Sequence, residues 1–335
     1  MKRLRLAALG AACVLALPAP LQPSPAAAQG KGMVFATQEA GTAYYTIGSG
    51  LAKILGEKLN RRVAVQPYSG SSVYLPLLDS GEATLAFSST LDANDSYKGE
   101  GRSPLKDLRA VARIWPLRVG LMVRADSGIK TVADLKGKRV TVDLKGQRAM
   151  GQVIRGMLAA GGLKETDVKA MTVANVGEGA KGLTEGNLDA AFVAIGIPLV
   201  KQAHSTISGG VAYVDMGAGE ARAKALASLS PGSYPDKLDP APHLPEVKAP
   251  LHTAAFDILL LTGAKTPDAD IAAVLKVLEE SFAELQKDYP QLRTGDATKL
   301  ALPTNTVPYH PGAVAHFKSR GMWTPANEER EKGFK

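Results

Sequence analysis

The sequence predicts an α/β fold with two lobes, each a mostly parallel sheet flanked by helices. Short apolar strands alternate with amphipathic helices through most of the chain, which is typical of a parallel sheet covered on both faces. About 300 residues follow the N-terminal segment, more than one core usually holds. Residues 77–87 also resemble residues 183–192, which fits two lobes of similar build, although a common helix-to-strand connection gives the same pattern.

The first series of elements alternates between strand and helix. Apolar residues at period two indicate the strands, and apolar residues at i, i+3, i+4 and i+7 indicate the helices. The predicted strands are 33–38, 62–66, 84–88, 108–114 and 119–124, and the predicted helices are 44–59, 72–80 and 92–98.

A polar connection at 125–138 separates this series from a second one. Residues 231–250, rich in Pro, Asp and Lys, are predicted to form an extended loop. We therefore assign residues 33–124 and 256–335 to lobe I and residues 125–255 to lobe II, with bending expected around 126–128 and 252–253. The second series comprises strands 139–142, 169–174, 189–194, 210–215 and 254–262, and helices 149–160, 177–185, 199–205, 267–287 and 311–321.

Residues 1–28 are typical of a secretory signal peptide. Lys2, Arg3 and Arg5 are followed by an apolar stretch at 6–17 and by Ala26-Ala27-Ala28, an A-x-A cleavage site. The mature chain is expected to begin near Gln29 and to be a soluble periplasmic protein. A lipoprotein signal ending at Cys13 is the weaker alternative, because Leu is missing three residues before the cysteine.

The composition excludes several classes of function. Removal of the three signal cations leaves 37 Lys and Arg against 32 Asp and Glu, a net charge of +5 spread along the chain. No basic cluster is interleaved with aromatic residues, so no nucleic-acid partner is predicted. Cys13 is the only cysteine, so the mature chain has no disulfide and no cysteine-based metal site.

Motifs for catalysis and for cofactors are largely missing. Residues 177–182 match GxGxxG, but the acidic residue expected about 20 positions later is replaced by Asp189, only seven positions on. The five histidines are scattered and form no helical i,i+4 pair, so no metal site is predicted. We therefore predict no cofactor, no catalytic residue and no enzymatic activity.

The stretch from Thr37 to Lys53 predicts a binding turn. A short strand, a Gly turn and a helix start follow one another, and such a helix start offers free backbone N–H groups to an anion. Thr42, Tyr44 and Tyr45 lie at this turn. An ordinary strand-to-helix turn with two surface tyrosines is an equally good interpretation of this stretch alone.

Hydroxyl groups also follow the next two strands of the predicted sheet. Because ligands collect beyond the carboxyl ends of strands in open α/β sheets, these loops are predicted to face a small polar ligand. Helix capping alone is the alternative for each loop. The candidate ligand-binding residues besides Thr42, Tyr44 and Tyr45 are Ser69, Gly70, Ser71, Ser89 and Thr90 in lobe I and Gln147, Arg148 and Gly196 in lobe II.

The chain resembles the TAXI family of solute-binding proteins, which serve TRAP-type secondary transporters. The resemblance runs from about residue 33 to residue 323. It is carried, in this order, by GTAYYTIGSGLAKIL, SGEATLAF, VGLMVRADSGIKTVADLKGKRVTV, EGNLDAAFVAIG and YHPGAVAHFKSRGMW. The chain departs from the family at Tyr68, Tyr74 and residues 89–91, where many members have other residues in the expected pocket.

This resemblance implies a two-lobed periplasmic binding protein of type II-like architecture. It implies a monomer that captures a small organic anion, such as glutamate or 2-oxoglutarate, and delivers it to the membrane permease subunits of a TRAP transporter. The departures leave the ligand open. A ligand-sensing module for a receptor kinase and a secreted α/β enzyme acting on small acids are the alternative functions.

Overall fold

The computed structural model describes residues 32–334. Its strands and helices alternate, as the sequence pattern predicts. Elements of the first series are β1 (Met33–Gln38), α1 (Ala43–Leu59), β2 (Val63–Tyr68), α2 (Ser71–Ser80), β3 (Leu85–Ser89), α3 (Thr90–Lys98) and β4 (Leu108–Arg124). The second series comprises β5 (Arg139–Leu144), α4 (Met150–Ala160), β6 (Lys169–Val173), α5 (Val176–Thr184), β7 (Ala191–Ala194), α6 (Pro198–Thr206), β8 (Val211–Tyr213), α7 (Glu220–Leu229) and β9 (Tyr234–Leu238). The last elements are β10 (Leu251–Gly263), α8 (Asp268–Asp288), α9 (Pro311–Ser319) and α10 (Pro325–Lys332).

The sheet combines parallel strands with two long antiparallel ones. Its order is β2-β1-β3-β10-β4-β7, with β8 paired to β4 and β9 paired to β10. Strands β1, β2 and β3 are parallel, as are β5 and β6 in a separate pair. A parallel bridge between Val140 and Ala190 brings the second pair alongside β7. The predicted α/β class, with helices flanking the sheet, is confirmed.

Strand β4 is continuous, which corrects the prediction of two strands at 108–114 and 119–124. The strand passes through Pro116, although proline donates no ladder hydrogen bond. In the structure Ile258 pairs with Trp115 and Leu259 with Arg113, so Ile114 forms a bulge beside Pro116. Bulges are places where a sheet tolerates proline. The strand therefore runs through both positions and pairs with β10 along most of its length.

Two helices and one strand were missed by the sequence pattern. Helix α7 buries only Leu226, and α10 buries only Asn327, so neither shows an apolar stripe at helical spacing. Helix α10 instead begins with a capping box between Thr324 and Asn327. Strand β9 lies inside the predicted loop at 231–250 and pairs with one end of β10. The prediction that residues 311–321 form the last helix was therefore wrong.

An aromatic cluster joins the sheet to α1. Phe87 contacts Phe35 and Trp115 edge-to-face, with both ring centroids 5.1 Å away, and Tyr44 contacts Phe87 and Trp115 at 6.1 Å. All four side chains are at most 2 % exposed. Tight aromatic packing of this kind fixes the start of α1 relative to β3 and β4.

The predicted signal peptide lies outside the described residues. The described residues, 32–334, belong to one compact unit. Among residues 32–334, no helix combines the length and the apolar character needed to cross a bilayer.

Candidate ligand-binding cleft

A cavity lies where the loops after β1, β5 and β6 meet the two long strands, and about 360 Å³ of space is free between its walls, open solvent included. Its wall combines residues that are far apart in the sequence. Polar groups come from the ends of β1 and β5, and most of the remaining wall is apolar. The lining residues are Gln38, Thr42, Ala43, Tyr44, Leu117, Val119, Gln147, Met150, Val176, Phe192, Ala194, Ile197 and Phe256.

The start of α1 forms one side of this cavity. Thr42 is the N-cap: its Oγ1 accepts a hydrogen bond from the Tyr45 amide at 3.2 Å and donates one to the Glu39 carbonyl at 2.8 Å. The first amides of a helix have no intrahelical acceptor. Ala43 and Tyr44 carry two of these first amides, and both residues line the cavity. The positive end of a 17-residue helix therefore borders the cavity.

Two glutamines supply the other polar groups of the wall. Gln38 is 4 % exposed, and its Nε2 has no hydrogen-bond partner among the described residues. Gln147, 6 % exposed, lies at the α4 side. None of the described residues that line the cavity is Lys, Arg or His. The site can therefore recognise an oxygen acceptor through neutral donors and a helix start.

The serines predicted to bind ligand contact a buried carboxylate instead. The hydroxyls of Ser71 and Ser89 donate to Asp92 Oδ2 at 2.8 and 3.1 Å, and the Ala149 amide donates to Asp92 Oδ1 at 3.2 Å. Burial raises the pKa of Asp92 from 3.8 to about 6, against the lowering effect of these hydrogen bonds. Sequence reasoning missed this role of Asp92, although a Ser cap three residues before an acid is a capping signal.

Hydrogen bonds join the two predicted lobes directly beside the cavity. The Ser72 amide donates to the Gly146 carbonyl at 3.0 Å, and the Gly177 amide donates to Glu39 Oε1 at 3.0 Å. A Cβ on Gly70 would overlap the Gly146 carbonyl oxygen, and a Cβ on Gly146 would overlap the Ser69 carbonyl oxygen. Glycine at both positions permits this close approach.

The side chain of Glu39 caps the N-terminus of α5 at Gly177, the first glycine of the GxGxxG match. Burial raises the pKa of the Glu39 carboxyl, and the Gly177 hydrogen bond lowers it. The helix start that the motif would offer to a phosphate is thus already capped by a carboxylate from the end of β1.

The structure brings three of the predicted residues, Thr42, Tyr44 and Gln147, to the cavity. Burial, and to a lesser extent the charge of Asp92, raises the pKa of Tyr44 well above 10. Arg148 is exposed and its guanidinium donates to the Gly101 carbonyl at 2.6 Å.

The other predicted residues lie elsewhere. Tyr45 is half-buried and Ser69 is exposed, while the carbonyl of buried Thr90 accepts from Thr306 at 2.7 Å. Gly196 lines a second cavity of about 440 Å³ beyond Leu117. Residues 32–334 contain no cluster of three or more His, Cys, Asp or Glu suited to a metal ion.

Solved structures show the same fold at low sequence identity. The periplasmic binding protein BugD aligns with a TM-score of 0.57 at 13 % identity, covering 90 % of this chain and 96 % of that one. MatC from Rhodopseudomonas palustris, solved with bound malate, gives 0.54 at 14 % identity, covering 91 % and 99 %. The alkanesulfonate-binding protein SsuA from Xanthomonas axonopodis pv. citri, bound to MOPS, gives 0.51 at 17 % identity, covering 92 % and 86 %.

These alignments cover 90–92 % of this chain and 86–99 % of the others, so the similarity extends over most of the α/β architecture. A sequence comparison gives the family. Residues 35–321 match the NMT1-like family, a range that contains every residue lining the cavity. The chain belongs to the NMT1-like family.

Proposed function

We propose that this protein is a periplasmic solute-binding protein that closes around a small organic molecule and delivers it to a membrane permease. The observation that carries the proposal is the cavity between strand-end loops, buried beside direct hydrogen bonds between the two predicted lobes. Concave, mostly apolar sites with a few placed polar groups are typical of small-molecule binding. The fold of this chain, which periplasmic binding proteins share, also supports this function.

Closure of two lobes is the mechanism we propose. The lobes are residues 33–124 with 256–335, and residues 125–255, joined by β4 and β10. Bending was expected at the strand ends, but β4 also contains Pro116 and Gly120, so it has two internal positions where a strand bends readily. A ligand favours the closed form by its differential affinity for that form over the open one.

The TAXI resemblance suggests the transport system. Under this proposal the partner is the integral-membrane permease of a TRAP transporter, and the protein acts as a monomer without cofactor or turnover. The resemblance also suggests a carboxylate such as glutamate or 2-oxoglutarate. The cavity supports a bound oxygen acceptor, but it offers no cationic side chain to a second carboxylate.

Small-angle scattering and thermal unfolding on the chain from Gln29 onward test the proposal. A panel of small organic acids, amides and amino acids is screened for a rise in the unfolding midpoint, since a ligand at 100 times its Kd stabilises by about 2.7 kcal/mol. We expect a stabilising compound to lower the radius of gyration and to be recovered chemically unchanged. A panel without any stabilising compound, or a hit that is converted to product, would contradict the proposal.

A further inference from the structure

We propose that the cavity selects a monocarboxylate with an apolar body and rejects dicarboxylates. This inference rests on the proposed solute-binding function and names the chemical class of its ligand. It is drawn from the uneven distribution of polar groups around the cavity wall.

The polar end of the cavity is built for one acceptor. The amides of Ala43 and Tyr44 begin α1, and the positive end of a helix favours an anion without any charged side chain. Gln38 lies directly before this turn, and its buried Nε2 has no partner among the described residues. Buried donors in native proteins are almost always satisfied. A carboxylate at the helix start would satisfy both the amides and the glutamine.

The remaining wall is unsuited to a second charge. Leu117, Val119, Ile197, Ala194, Met150, Val176, Phe192 and Phe256 are all apolar, and all but Ala194 are less than 9 % exposed. A carboxylate placed against such a wall loses its water and gains no counter-charge, which is strongly unfavourable. An alkyl or aromatic group placed there gains from leaving water instead.

Two carboxyl groups of the protein take up other helix starts around the cavity. Two carboxyl groups of the protein, Asp92 and Glu39, lie next to the polar end, and Asp92 is close enough to raise the pKa of Tyr44. Glu39 and Asp92 accept hydrogen bonds from the Gly177 and Ala149 amides, so carboxylates of the protein already occupy the starts of α5 and α4. A single ligand carboxylate at α1 meets the helix amides and Gln38, whereas a second one would face mostly apolar groups, with the neutral Gln147 and no cation nearby.

The experiment compares 4-methyl-2-oxopentanoate with 2-oxoglutarate by calorimetry on the mature chain. The two share a 2-oxo acid head and differ in whether the other end is branched alkyl or carboxylate. We expect the branched acid to bind at least tenfold more tightly. The neutral analogue 4-methyl-2-oxopentanamide should bind more weakly than the acid, because it lacks the charge that the helix start favours.

Two variants locate the site. Gln38→Met removes the buried donor at nearly constant volume and should weaken binding of the branched acid by about 5- to 150-fold. Met150→Lys adds a cation to the apolar wall and should improve 2-oxoglutarate binding by tenfold or more. Gln202→Met, on the exposed surface of α6, is the matched control and should change neither affinity. Thermal unfolding verifies that each variant folds.

The outcomes separate this inference from the proposed function. Tighter binding of 2-oxoglutarate than of the branched acid would overturn the inference while leaving a working solute-binding protein. An unchanged affinity in folded Gln38→Met would also overturn it, because the carboxylate would then lie elsewhere. Absence of binding by every compound in the wider panel would contradict the proposed function itself.

Discussion

Asp92 shows how one buried residue links the interior to the cleft. It is 4 % exposed and accepts hydrogen bonds from Ser71 and Ser89 of its own half and from the Ala149 amide of the other. Each of these bonds favours the carboxylate, yet desolvation dominates and the pKa of Asp92 rises to about 6. Asp92 therefore changes its protonation state near pH 6.

This raised pKa predicts a pH-dependent stability. The folded state holds the proton more tightly than the unfolded state, so the stabilisation is fully present below pH 3.8 and is lost as the pH rises through about 6. The change corresponds to at most about 3 kcal/mol. We expect Asp92→Asn to remove this contribution. The unfolding midpoint of the variant should therefore rise relative to that of the wild type as the pH increases from 4 to 7. Thermal unfolding across this range measures the difference.

Ser71→Ala provides the control for the pH prediction. The Ser71 hydrogen bond lowers the pKa of Asp92, so its loss should move the midpoint of the pH transition upward without abolishing it. A constant difference between Asp92→Asn and wild type over pH 4–7 would show that Asp92 does not titrate in this range.

Short loops between strand and helix determine how closely the two predicted lobes approach. The loop of Ser69 and Gly70, between β2 and α2, lies against Gly146, between β5 and α4, with backbone atoms in contact. Gly146 has no positive φ. The close approach of the Ser69 carbonyl oxygen therefore requires glycine at position 146, and the backbone conformation of Gly146 does not.

A methyl group at Gly146 should prevent full closure. Its Cβ would overlap the Ser69 carbonyl oxygen, a backbone atom that cannot move as a side chain does. We expect Gly146→Ala to weaken ligand binding at least tenfold and to keep the radius of gyration near the ligand-free value when ligand is added. Small-angle scattering and calorimetry measure these two effects.

Gly179→Ala is the matched control, because a Cβ there meets only ordinary contacts at 3.7 and 3.8 Å. This variant should bind and close like the wild type. Wild-type affinity and full compaction in Gly146→Ala would show that these loops do not meet during closure.

For the whole molecule, the prediction concerns processing of the N-terminus. The basic residues, the apolar stretch and Ala26-Ala27-Ala28 predict export and cleavage near Gln29. Intact-mass measurement on periplasmic material should give a chain that begins close to Gln29. A soluble, ligand-binding protein that retains Met1 would contradict this prediction.

Local sequence signals were sufficient for much of the fold. Thr42 caps α1 and Ser89 caps α3 through hydrogen bonds to amides three residues away, so both helix starts are encoded within a few positions. The alternation of strands and helices is also encoded locally, because burial of one face of an element places apolar residues at the period of that element. Local signals did not predict the continuous β4, because whether a strand passes through a proline such as Pro116 depends on the bulge and the partner strand.

The sequence by itself determined the α/β class, most of the strands and helices in their order, a helix start just after Thr42 and the absence of a cysteine after residue 13. The tertiary structure decided which polar groups face the cavity. Ser71 and Ser89 matched the pattern of ligand donors, but their hydroxyls bind Asp92. The apolar wall joins Leu117, Phe192 and Phe256. Capping is a short-range interaction, whereas that wall exists only once strands from distant parts of the chain have paired.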